Sequence, residues 1–109
     1  MGKDNTIGND LASFVQTVAV TAATTYPFAY PVIGSFNVAI TGTFVGTLQF
    51  EASFDGGTTW APISGATVGT TATFTAPTQF VAVEPERGVL WRVNCTAYTS
   101  GTANVRLSA

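Results

Sequence analysis

Histidine is absent from this chain of 109 residues, and cysteine occurs once, at Cys95. A lone thiol forms no internal disulfide, so no cystine framework holds the domain. Without imidazole, the usual ligands of a zinc or copper site are missing. The commonest general base is missing too, and with it any Ser-His-Asp or Cys-His arrangement. Lys and Arg together number four, too few to neutralise the phosphates that strong nucleic-acid binding requires. No run approaches the ~18 apolar residues of a membrane-spanning helix, because Thr, Gly or Ser interrupts each longer apolar stretch. Met1 to Asp10 holds two acids and no apolar signal-peptide core, so synthesis in a cytoplasm is expected. No cofactor, metal, nucleic acid or membrane is expected as a partner.

Charge is scarce as well. Charged residues make up 9% of the chain, against about 25% in an average soluble domain. Thr, Ser, Asn and Gln keep the chain polar instead. Such a surface solvates weakly and packs readily against other protein, which points to a domain that works inside an assembly. A chain of this length buries roughly 65% of its unfolded surface, enough for one domain without staples. Residues 1–10 are polar and aperiodic and are read as a flexible arm. Residues 11–109 are read as a single β domain.

After the arm the apolar period is two. Phe14, Gln16, Val18 and Val20 share one face of Leu11–Val20. Phe36, Val38 and Ile40 alternate with Asn37, Ala39 and Thr41. Leu48, Phe50, Ala52 and Phe54 alternate with Gln49, Glu51 and Ser53. Val89, Trp91, Val93, Cys95 and Ala97 form a fourth set, and Ala103, Val105 and Leu107 a fifth. This is the pattern of antiparallel strands with one buried face. No segment keeps a 3.6-residue period for three turns, so helix is not expected. Thr59–Ile63, Thr71–Ala76 and Thr78–Val83 complete the strand candidates. Thr41–Thr43 with Gly46 is expected to separate or bulge two strands, and turns are expected at Asp55–Thr58, at Ser64–Ala66 with Gly69, and at Glu84–Gly88. Thr99–Gly101 is expected to close a short hairpin between the last two strands. The fold expected is all-β: an antiparallel sandwich or small barrel of about seven to nine short strands.

Thr24–Pro31 stands apart, with two prolines and three aromatics. It is read as an extended loop that crosses the sandwich or reaches a neighbour, which makes Tyr26, Phe28 and Tyr30 candidate partner contacts. Asn5, Thr6 and Ile7 of the arm are candidates of the same kind.

Six carboxylates are the remaining chemical resource. A glycosidase needs two of them facing each other, one with a raised pKa. Glu51 and Asp55 are close in sequence, but Asp55 falls in a turn. Glu84 and Glu86 flank Pro85 in a turn read as solvated. Arg92 points outward and is read as a surface partner for Glu84 or Glu86, or for another subunit. No catalytic pair is expected, and the protein is read as a non-enzyme.

The sharpest local motif is Ser53-Phe54-Asp55-Gly56-Gly57-Thr58-Thr59-Trp60. It resembles the Asp-box, S-x-D-x-G-x-T-W, of sialidases and related propellers. There the motif is a hairpin that folds a turn and is not the catalytic site. One copy cannot build a propeller of at least four blades. The expectation is hairpin geometry: Ser53 and Asp55 satisfy turn amides, Gly57 takes a positive φ, and Trp60 packs over the turn. A sugar platform of Trp60 with Tyr26, Phe28 or Tyr30 is the alternative.

Two longer stretches, Ser35–Trp60 and Gly88–Ser108, together resemble small β-sandwich virion proteins of tailed bacteriophages. The resemblance runs through S-F-D-G-G-T-T-W, W-R-V-N-C and S-G-T-A-N-V-R-L-S and covers about half the chain. It implies a virion structural protein, foremost a capsid decoration protein on the outer shell. It further implies self-association and contact with the major capsid protein or other virion proteins. The alternative is a carbohydrate-binding or adhesive module of a phage tail or fibre. The resemblance brings no catalytic residues.

Overall fold

A computed structural model of the chain describes residues 14–63 and 73–109. The arm 1–10 and the turn expected at Ser64–Ala66 lie outside them. Among the described residues the fold is all-β and antiparallel, without helix. The strands are β1 (Val15–Val20), β2 (Thr25–Pro27), β3 (Val32–Thr41) and β4 (Phe44–Ser53). Then follow β5 (Ala61–Pro62), β6 (Thr73–Phe74), β7 (Thr78–Gly101) and β8 (Ala103–Ser108).

One strand joins the two layers. The first part of β7 pairs with β3, from Thr78 opposite Ile40 to Glu84 opposite Gly34. The second part pairs with β4, from Leu90 opposite Ser53 to Gly101 opposite Phe44. Layer A therefore runs β1-β8-β3-β7, and layer B runs β2-β7-β4, with β5 and β6 on the far edge of β4. The turn expected at Glu84–Gly88 is instead a bulged corner within β7. Two residue steps on β3, Val32 to Gly34, face five on β7, Glu84 to Val89. Pro85 offers no N–H to the ladder, and Gly88 takes φ +85°.

Of the two glycine turns at the opposite end, Thr41–Thr43 separates β3 from β4 as expected, with a register shift at Gly46, and the other differs from expectation. Thr99–Gly101 does not close a hairpin, because β8 pairs with β1 and β3 rather than with β7. The turn carries the chain from layer B to layer A, and Gly42 marks the reverse crossing from β3 to β4. The crossings touch: Thr102 N–H donates to Thr43 O at 3.0 Å.

The core lies between the layers. Phe36, Val38 and Ile40 of β3 and Val105 and Leu107 of β8 face Leu48 and Phe50 of β4 and Trp91 and Val93 of β7. Each fully buried large side chain contributes roughly 1.5–3 kcal/mol. Ring pairs bridge the layers. Phe36 meets Trp91 edge-on at 5.0 Å, and Phe50 meets Phe80 edge-on at 6.0 Å. These are the arrangements that aromatic quadrupoles favour. Cys95 is buried among them, its thiol pushed up by burial and donating to Ala97 O. It is a core thiol rather than a reactive one.

Alternation fails at one place. Phe54, expected on the inner face with Phe50 and Ala52, is 62% exposed, while Glu51, Ala52 and Ser53 are all buried in succession. The hairpin that follows explains why.

Candidate functional site

β4 leads into β5 through residues 54–60, and this hairpin is organised from within. Ser53 is fully buried. Its hydroxyl donates to Asp55 Oδ1 at 2.8 Å and accepts the Gly57 N–H at 2.8 Å. Asp55 Oδ1 also accepts the N–H groups of Thr58 and Thr59, at 3.1 and 2.9 Å, and Oδ2 accepts the Thr59 hydroxyl. The Thr59 hydroxyl and N–H, with the Ser53 hydroxyl, hold Asp55 at a pKa of about 2. Gly57 takes φ +99°, where a side chain would be strained. Trp60 Nε1 donates to Gly57 O at 3.1 Å, folding the indole back over the turn.

Trp60 also covers the outer face of layer B. The Arg92 guanidinium lies 4.4 Å from the centre of its ring, in cation–π geometry. Arg92 does not pair with Glu84 or Glu86. It pairs across the β4–β7 ladder with Glu51, its register partner. Nε and Nη2 both donate to Oε1 at 2.7 Å. Oε2 of Glu51 accepts Gln49 Nε2 at 2.7 Å and Asn94 Nδ2 at 3.1 Å. Burial pushes the Glu51 carboxyl up, but donors from Asn94, Arg92 and Gln49 outweigh it and hold the group low. Neither Glu51 nor Asp55 has the raised pKa that a general acid needs. This polar network is why Glu51 and Ser53 tolerate burial.

Glu84 is buried too, not solvated. It sits at the corner of β7, where Oε1 accepts Trp91 Nε1 at 3.0 Å and Oε2 accepts the Glu86 N–H at 3.1 Å. Sequence reasoning missed it because Pro85 and Gly88 disguised the corner as a surface turn.

Thr24–Pro31 is tied down rather than free. Thr25–Pro27 is an edge strand on β7, with Tyr26 opposite Val93, and Phe28 N–H donates to Trp91 O at 3.0 Å. Phe28 is 3% exposed and belongs to the core, so it is no partner contact. Tyr26 packs partly against that core, and its hydroxyl accepts the Thr21 N–H. Tyr30 is 69% exposed, with its backbone clamped by both ends of the Gln16 amide. Tyr26 faces inward, while Trp60 lies outside layer B over Arg92. The structure thus does not bring Trp60, Tyr26 and Phe28 into one sugar platform. Asn5, Thr6 and Ile7 lie outside the described residues.

The outer face of layer A is the second surface of interest. Register places Val15, Ser108, Asn37 and Val81 in one cross-strand row. The next row is Thr17, Arg106, Ala39 and Gln79, and the next Ala19, Asn104 and Thr41. Arg106 is the single ionisable group on these rows. Val15, Val81 and Val83 are each more than half exposed, with Ile33 close behind. A shallow hollow of about 490 Å³ spans Thr17, Ala19, Ala39, Thr41, Asn104 and Arg106.

No family model matches the chain, and neither a curated protein nor a solved structure matches it significantly.

Proposed function

We propose that the protein is a non-enzymatic virion structural protein of a tailed bacteriophage, a decoration protein that docks on the outer capsid shell. The observation that carries this reading is the outer face of layer A. It presents hydroxyls, amides and exposed valines with one charge, a surface that loses little by leaving water. Many such contacts on a repeating shell become firm together even when each is modest. Symmetric self-association at shell axes suits the same face. The sequence resemblance points the same way, and the Glu51 and Asp55 carboxyls, both held below the usual carboxylate range, fit an architectural role.

The test is to count the chain in purified particles by quantitative mass spectrometry. The reading expects a copy number comparable with the major shell subunit. A few copies per particle would move it to the tail or fibre, and absence would overturn it. Replacing Val81 and Val83 with Asp is expected to abolish particle binding while leaving the isolated fold intact.

The alternative, a carbohydrate-binding or adhesive module, retains one specific observation. Trp60 stands on layer B against Arg92, whose partner Glu51 also holds the Asn94 and Gln49 amides. A glycan array with wild type and Trp60→Ala would decide it.

A further inference from the structure

A cleft of about 290 Å³ opens between the Asp55 hairpin and the corner of β7. Its walls are apolar at Ala52, Phe54, Pro62, Ile63 and Pro85, and a second carboxylate, Glu86, joins Glu84 in the lining. Glu84 lines it, 6% exposed, and Phe54, 62% exposed, lies at its rim. The cleft is at the bottom of the size range of small-molecule pockets, so it suits one side chain rather than a whole cofactor.

The chemistry of Glu84 defines what would fill it. A carboxylate offers about four lone-pair sites. Glu84 uses one on Trp91 Nε1 and one on the Glu86 N–H. Among the described residues no Lys or Arg nitrogen pairs with it, unlike Glu51 with Arg92. A carboxylate set back from water and held only by neutral donors gains from a cation, which a partner from outside would supply. Each oxygen already holds one donor, which favours a compact ammonium over the bidentate fork of a guanidinium. The apolar walls suit an aliphatic stem, and the Phe54 ring adds a face for the charge.

We propose that this cleft receives a lysine side chain of a partner protein, its ammonium on Glu84 and its stem against Phe54, Pro62 and Ile63. The proposal stands independently of the virion reading, since it rests on the cleft and not on layer A. The probe is Nα-acetyl-lysine methylamide, titrated into the full-length protein at constant ionic strength. The Trp91 indole N–H, which sits on Glu84, reports binding in ¹H–¹⁵N NMR spectra. A saturable shift in the millimolar range is expected, at least tenfold weaker in Glu84→Gln, which keeps the volume and an acceptor for Trp91. Phe54→Ala, a change at an exposed side chain, is expected to weaken binding severalfold and provides a second variant should Glu84→Gln misfold. The Nε-acetylated probe, with the same stem and no charge, is expected to leave the resonance in place. No shift with the lysine probe, an equal shift with the acetylated one, or tighter binding of the arginine counterpart would overturn the assignment.

Discussion

Glu51 and Arg92 lie opposite each other on β4 and β7, and both guanidinium donors converge on one carboxylate oxygen at 2.7 Å. Trp60 closes over the pair from the hairpin, so ladder, ion pair and turn form one unit. The glutamate side chain is 7% exposed and the arginine 20%. That asymmetry sets the order of damage. Arg92→Ala leaves a buried carboxylate with two neutral donors and is expected to cost about 2–4 kcal/mol. Glu51→Gln leaves a guanidinium that still reaches water and is expected to cost about 1–2 kcal/mol. Urea unfolding of both variants and of the double variant checks the order, and the coupling is expected near 1 kcal/mol or more.

Asp55 carries a pH dependence whose sign follows from its environment. Its ordinary value of 3.8 falls to about 2 in the folded hairpin. Folding therefore favours the carboxylate, and the stability it adds is complete above the unfolded value. It is lost as pH falls from about 4 to about 2. Glu51, also held low, acts in the same direction. Asp55→Asn is expected to be less stable than wild type at pH 6 and to show a flatter acid limb between pH 4 and 2. Urea midpoints collected across that window test it. An acid limb as steep as that of wild type would disprove a role for Asp55.

The alternation of Phe36, Val38 and Ile40, and of Val89 through Cys95, was legible because a half-buried strand imposes period two on its residues alone. The all-β architecture followed from that. What connects to what was not legible. Thr99–Gly101 looks like a hairpin turn locally, yet it and Thr41–Thr43 are crossings between layers, since pairing partners are set by the whole sheet. The corner at Glu84–Gly88 carries Pro and Gly, the usual marks of a stop, within one continuous strand. Phe54 broke the period because the hairpin covers the outside of β4, burying Glu51 and Ser53 there. The Glu51–Arg92 pair is separated by 41 residues, and nothing in the spacing announces it.

Phe28 and Tyr30 separate core from surface within three residues. Phe28 is buried in the core cluster, so Phe28→Ala is expected to cost about 3–5 kcal/mol. Tyr30 is mostly exposed, and its contact with Gln16 is made by its backbone. Tyr30→Ala is expected to stay within about 0.5 kcal/mol of wild type. Chemical denaturation of the two variants measures both. Comparable losses would contradict the burial that removes Phe28 from the contact surface.

Gly101 and Gly34 give a cleaner comparison, because their backbones are nearly alike. Both take positive φ, +85° and +76°. Either glycine replaced by alanine therefore faces the same left-handed strain, of about 1–2 kcal/mol. Their surroundings differ. A Cβ at Gly34 would meet nothing within 4 Å. A Cβ at Gly101 would lie 2.1 Å from Thr43 O and 2.8 Å from Phe44 Cα, both backbone atoms. Those atoms belong to the other crossing, so relief would require the two turns to part and the Thr102–Thr43 hydrogen bond to stretch. Gly34→Ala is thus expected to lower the melting temperature modestly, by the strain alone. Gly101→Ala is expected to cost at least about 2 kcal/mol more, in the range of overpacked cores. Thermal unfolding of the two variants under one condition compares them directly. Equal shifts would mean that the crossings can separate freely, and that the close approach of Gly101 to Thr43 does not hold the two layers in place.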